Sequence, residues 1–177
     1  MEIAIRKGAR DDRIEILRED GSSVVTRFPK KGPVPHDAVH YFVEQGLGLT
    51  QGFWGMVADG RHPEDLAELA NEHGHASASR AVVPGMAIVQ LLQAERLVEC
   101  FEADLWVGGG DDQALLALAA TACASSYVPL PQIAEDALME IRDSLSQFAC
   151  NWMDANEGHV ARLSWPEPAQ GSEGRKN

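Results

Sequence analysis

The chain has 177 residues, 45% of them hydrophobic, which is enough for one domain with a core of its own. Its formal net charge is −12, with the acids spread along the chain rather than gathered in one block. An acidic surface with no basic stripe to offset it repels phosphate groups, which disfavours nucleic acid and anionic membranes as partners. No stretch approaches the roughly 18 uncharged apolar residues of a spanning helix, and Met1 to Lys7 lacks the basic head and apolar run of a secretory signal. The expected location is the cytoplasm. Cys100, Cys123 and Cys150 are odd in number, widely spaced and outside any C-x-x-C pair, so they are expected as reduced thiols.

The first thirty residues have the pattern of β structure. Ile3 and Ile5 alternate with polar neighbours, and Arg13 to Arg18 alternates again. Glu19-Asp20-Gly21-Ser22 is a turn signal, and Ser23 to Phe28 returns the chain as a hairpin partner. Three prolines between Pro29 and Pro35 end the sheet. From His36 the spacing of Val39, Phe42 and Val43 is helical, with Gly46 and Gly48 as stop signals. Residues 49–60 carry Gly52-Phe53-Trp54-Gly55 and predict a short helical or irregular piece. A helix over Pro63 to His73 follows, and the small polar residues 75–83 predict a mobile loop.

A long helix is expected from Met86 to Leu105, with a broad apolar face and with Glu95, Glu99 and Glu102 opposite it. Gly108 to Gly110 breaks the chain, and Asp111 and Asp112 suit the positive end of a helix over Gln113 to Ser126. The last helix, Gln132 to Ala155, sets Leu138, Ile141, Leu145, Phe148 and Trp152 in a heptad seam, either for a partner inside the bundle or for a dimer contact. His159 to Trp165 alternates as a closing strand that joins the N-terminal sheet. The polar residues after it predict a disordered tail over 166–177. The expectation is one α+β domain over residues 1–165, a small antiparallel sheet packed on about five helices.

One constellation could carry chemistry. On a helix, His36 and His40 lie one turn apart on one face, about 6 Å along the axis, and two imidazoles so placed can converge on a metal. Asp37 stands where zinc hydrolases of the H-E-x-x-H type have a glutamate, one methylene shorter and a weaker reach toward water. Glu44 lies about 12 Å along the axis from His36, too far to share that metal. Further ligands must come from elsewhere: His73 and His75 first, with Glu72, Glu68, His62 and His159 behind them. The first helical turn favours neutral imidazole, the form that binds metal. The competing account makes His40, beside Val39 and Phe42, a core histidine with an ordinary hydrogen bond. Phe53, Trp54 and Tyr41 either line a pocket shared with the histidines or plug the core between helices. Nucleophile elbows, phosphate-binding loops and dinucleotide fingerprints are lacking.

The run Asp12-Arg13-Ile14-Glu15-Ile16, then Pro35-His36-Asp37-x-x-His40-x-x-x-Glu44, Gly52-Phe53-Trp54-Gly55 and the end at Trp165-Pro166 resemble a family of small bacterial proteins without assigned activity. The resemblance implies the same architecture and supports the choice of His36 and His40; it supplies no reaction and no ligand. Two functions stay open. One is a binding or interaction protein, a homodimer through helix faces. The other is a metal-binding protein or metal-dependent hydrolase with a divalent ion such as zinc at His36, His40 and His73, and Asp37 as base.

Overall fold

The structure is a computed structural model that describes residues 1–74 and 84–166. Four strands, β1 (Glu2–Arg6), β2 (Asp11–Leu17), β3 (Ser23–Pro29) and β4 (Val160–Ser164), form one antiparallel sheet in the order β3-β2-β1-β4. Six α-helices accompany it among the described residues: α1 (His36–Leu47), α2 (Phe53–Ala58), α3 (Pro63–Gly74), α4 (Val89–Val107), α5 (Asp112–Ser125) and α6 (Glu135–Asp154). The fold is α+β, as the pattern implies. No helix among the described residues is long and apolar enough to cross a membrane. The expected loop over 75–83 lies outside the described residues, as does the tail from 167 onward.

The register explains the sheet's inner face. Ile3 pairs with Ile16 and Ile5 with Ile14 on one side of β1, while Leu163 and Ala161 of β4 oppose them on the other. All four isoleucines are buried, each burial worth about 2 kcal/mol. One step further along the same face, Asp12 pairs with Phe28 and so carries one carboxylate inward at the sheet's edge. The hairpin turn closes as expected, with the Gly21 amide donating to the Arg18 carbonyl at 3.0 Å and Gly21 at φ 81°.

Helix α1 is the hub. Ala38 and Tyr41 pack with the sheet, α2 and Trp152, whereas Val39 and Val43 pack with α4, α5 and α6. A helix buried on both sides has little room for polar residues, and that is where its histidines sit. The seam of α6 is spent inside the chain, because Leu138, Ile141, Leu145 and Trp152 are all buried in its own core. Gly48 ends α1 in the left-handed conformation at φ 64°, but Gly46 is no stop. A Cβ on Gly46 would lie 2.4 Å from Ile141 Cγ1, so this glycine lets α6 approach α1. The last helix starts at Glu135 rather than Gln132, after an extended stretch held by Pro129 and Pro131.

Gly55 has the tightest backbone approach in the motif. A Cβ there would sit 1.9 Å from the Thr50 carbonyl oxygen, a backbone atom that cannot step aside. Gly55→Ala should therefore lower stability by about 1–3 kcal/mol. Gly85→Ala is the matched control, since nothing lies within 4 Å of its Cβ position. Urea denaturation of both variants checks this; equal midpoints would mean the Gly55 contact is not as close as described.

Candidate metal centre

Helix α1 begins immediately after Pro35, whose carbonyl accepts from the Ala38 and Val39 amides at 3.0 and 3.3 Å. Its first turns are regular, so His36 and His40 meet edge to face, with ring centroids 4.8 Å apart and planes at 76°. Each ring turns its Nδ1 to an outer carboxylate. His36 Nδ1 lies 2.9 Å from Glu102 Oε1, and His40 Nδ1 lies 2.8 Å from Glu44 Oε1. An Nδ1–H donated to a carboxylate fixes the tautomer and leaves the Nε2 lone pair free. Both Nε2 atoms then face one carboxylate, that of Glu95 on α4: His36 Nε2 to Oε2 is 3.7 Å and His40 Nε2 to Oε1 is 3.5 Å.

Those two inner distances differ from the outer ones in a way that bears on the chemistry. Charge-assisted N–H···O bonds close to about 2.7–2.9 Å, as the two outer contacts do. The inner pairs stay too far apart for that. With bonds of about 2.1 Å to His nitrogen or carboxylate oxygen, neighbouring ligands of a tetrahedral ion stand roughly 3.4 Å apart. One ligand atom from each of His36, His40 and Glu95 falls within 4.8 Å of the other two. Two imidazoles and one carboxylate with a free side form the ligand set of zinc hydrolases and of non-haem iron sites.

Charge does not separate the readings. Burial works to lower the His40 pKa, but Glu95 and Glu44 outweigh it and push it up to about 10. His36 is also raised, burial being outweighed by Glu102 and Glu95. Glu95 would be raised by burial, yet the two imidazoles hold it well below the usual carboxylate range. Without metal the cluster is thus an imidazolium–carboxylate network. One dication on neutral rings carries the same charge as two protons, so either state satisfies the same surrounding acids.

Glu44 ties this cluster to the Gly52-Phe53-Trp54-Gly55 element. Its Oε1 also accepts from the Phe53 amide at 3.0 Å, and Oε2 accepts from the Trp54 amide at 2.9 Å. A buried glutamate from α1 thereby satisfies the first amides of α2, groups that no helix satisfies internally. Burial raises the Glu44 pKa, while His40 and the two amides oppose that rise. Gly52 is required for the contact, because a Cβ there would lie 2.6 Å from the Glu44 carboxyl. Trp54 closes the unit by donating Nε1–H to the Asp37 carbonyl at 2.9 Å.

A small cavity of about 70 Å³ opens beside the cluster, lined by His36, Asp37, His40 and Glu95 together with Phe53, Asp12, Lys30, Lys31 and Asn71. Asp37 stands on its wall, where burial raises its pKa against the pull of both histidines. The expected pocket residues divide. Phe53 lines the cavity, 5.5 Å from the His40 ring. Trp54 is fully buried core. Tyr41 points away to the sheet, its hydroxyl donating to the Ser164 carbonyl at 2.9 Å. It is absent from the cavity lining, lying one turn further along α1 than Asp37 and bonded to β4.

The expected third ligand, His73, lies at the end of α3 with its side chain outside the described residues, and His75 is outside them altogether. His62 accepts from the Glu64 amide at 3.3 Å, Glu68 and Glu72 are exposed, and His159 meets Trp152 edge-on with ring centroids 5.9 Å apart. Among the described residues, the third group that could join His36 and His40 on a metal is Glu95. Sequence reasoning set Glu95 and Glu102 on the outward face of α4, but that helix packs against α1 with these residues turned to the histidines. Their seven-residue separation, two turns of one helix facing the one-turn histidine pair, was the available signal.

No protein-family model, curated protein or solved structure matches this chain. Its chemistry is argued from the site alone. Glu44→Gln keeps the shape but sets an amide NH2 against donors, and should cost about 3 kcal/mol as a broken buried ion pair. Chemical denaturation measures it; wild-type stability would show that the carboxylate does not anchor α2.

Proposed function

We propose that this protein holds one divalent metal ion, zinc before others, between His36, His40 and Glu95, and that it acts as a metal-dependent hydrolase. The observation that carries the reading is the double set of contacts on each ring: Nδ1 on an outer carboxylate at 2.8–2.9 Å, Nε2 facing Glu95 across 3.5–3.7 Å. Three protein ligands leave a fourth position toward the cavity, the arrangement of catalytic rather than structural zinc sites. A bound dication supplies Lewis-acid activation of water. The chain's own part is to hold the rings through Glu102 and Glu44, and to present Asp37 on the cavity wall as a proton acceptor. Its raised pKa suits that role better than an exposed aspartate would.

Untagged protein reconstituted with zinc should contain one equivalent by elemental analysis, and His40→Ala or Glu95→Gln should abolish it. Glu102→Gln should weaken affinity about 10- to 100-fold, because it loosens His36 without removing a ligand. At pH 7 His40 carries a proton that metal must displace, since its pKa is about 10. Calorimetry in buffers of differing ionisation enthalpy should thus show about one to two protons released. Affinity should rise as pH is raised. Absence of zinc, iron, nickel and manganese after reconstitution overturns the reading.

A second reading concerns partners and setting, and a specific surface supports it. Val107 and Leu118 are 81% and 48% exposed and flank one groove between α4 and α5, beside the small exposed residues Ala117, Ala120 and Ala124. Such an apolar face, edged by Asp104 and Asp111, supports a homodimer, and three free cysteines support the reducing cytoplasm. Light scattering at high concentration should give twice the chain mass, and Leu118→Glu should halve it; a monomer throughout overturns the dimer.

A further inference from the structure

We infer that the cavity beside the metal centre takes a small molecule with an oxyanion head, a carboxylate or a phosphate, joined to an apolar body. The inference rests on the metal reading and adds the substrate class. The chain is acidic, yet two consecutive lysines, Lys30 and Lys31, line this cavity. Lys30 is committed: its Nζ donates to the Gly8 carbonyl at 2.6 Å and lies 3.6 Å from Asp12 Oδ1, whose carboxylate also accepts from the Gly8 amide at 3.1 Å. Lys31 is exposed, and among the described residues its ammonium has no hydrogen bond. It is an exposed cation on the cavity wall, with Asp37 as the acid it acts on.

The open coordination position of a bound dication makes the anion's binding depend on metal. An anion is then attracted both by the open coordination position and by Lys31, while Phe28, Pro29, Pro35 and Phe53 supply an apolar wall for the rest of the molecule.

The test uses the full chain loaded with cobalt(II), whose visible absorption reports the fourth ligand. Elemental analysis first fixes the cobalt content at one per chain. Titration with inorganic phosphate, and separately with acetate, should give a saturable spectral change with at least one of them, which tells the two head groups apart. Lys31→Glu should weaken that affinity tenfold or more at unchanged cobalt content and unchanged thermal midpoint, and Lys31→Arg should restore most of it. Calorimetry on metal-free protein should show no phosphate or acetate binding. Cobalt bound with no response to either anion, or a response indifferent to Lys31→Glu, overturns the anion site and leaves the metal centre standing. Failure to take up cobalt overturns both.

Discussion

The Glu44 carboxylate holds the architecture of the site together. It receives the His40 imidazole from its own helix and two backbone amides from the next, all at 2.8–3.0 Å and fully buried. Each partner alone would be a liability in the core: an unpaired charge, an unsatisfied helix start, a ring with a dangling nitrogen. Joined on one carboxylate they satisfy one another, and the geometry of each becomes dependent on the rest. Gly52 and Gly55 follow from this rather than from flexibility. One makes room for the carboxylate and the other for the Thr50 carbonyl, so that α2 can begin where Glu44 needs it.

The consequence is a histidine pair on a rigid platform. Helix α1 lies between the sheet-side core and the α4–α6 core, so a rotation of the helix would disturb both. Its first turn is the part that both cores leave partly open, and the cavity forms there. The inner face of the sheet contributes at the same end, because the β2–β3 register delivers Asp12 and Phe28 to the cavity wall. Binding residues held by elements rather than loops need little reorganisation when a ligand arrives.

Much of this was legible in the residues. The alternation of Ile3, Ile5, Ile14 and Ile16 sets the sheet, and the regular turn from His36 to His40 sets the converging rings, since both follow from local periodicity. Neither Glu95 nor the true role of Glu44 could be found that way. A glutamate on an amphipathic helix is normally solvated, and only the packing of α4 on α1 turns Glu95 inward. The axial distance from His36 argues against Glu44 as a shared ligand, and its partners besides His40 are the amides of Phe53 and Trp54, nine and ten residues on. Tyr41 failed for a related reason: adjacency in sequence to His40 places it on a different face of the helix. Local period predicts which residues share a face; it is silent on which neighbouring element that face will meet.

The contrast between inner and outer contacts is the strongest argument about chemistry. The same kind of pair, imidazole and glutamate, closes to 2.9 Å at Glu102 and to 2.8 Å at Glu44, yet stays open at 3.5 and 3.7 Å at Glu95. Burial does not sort the pairs, since Glu44 is more deeply buried than Glu95 and Glu102 less so. A cluster selected only for internal ion pairing would gain by closing the inner contacts as well, because attraction between charges grows steeply as they approach in a poorly screened interior. The gap that stays open lies where three potential ligands face one another beside a cavity, and this geometry is what supports the metal proposal.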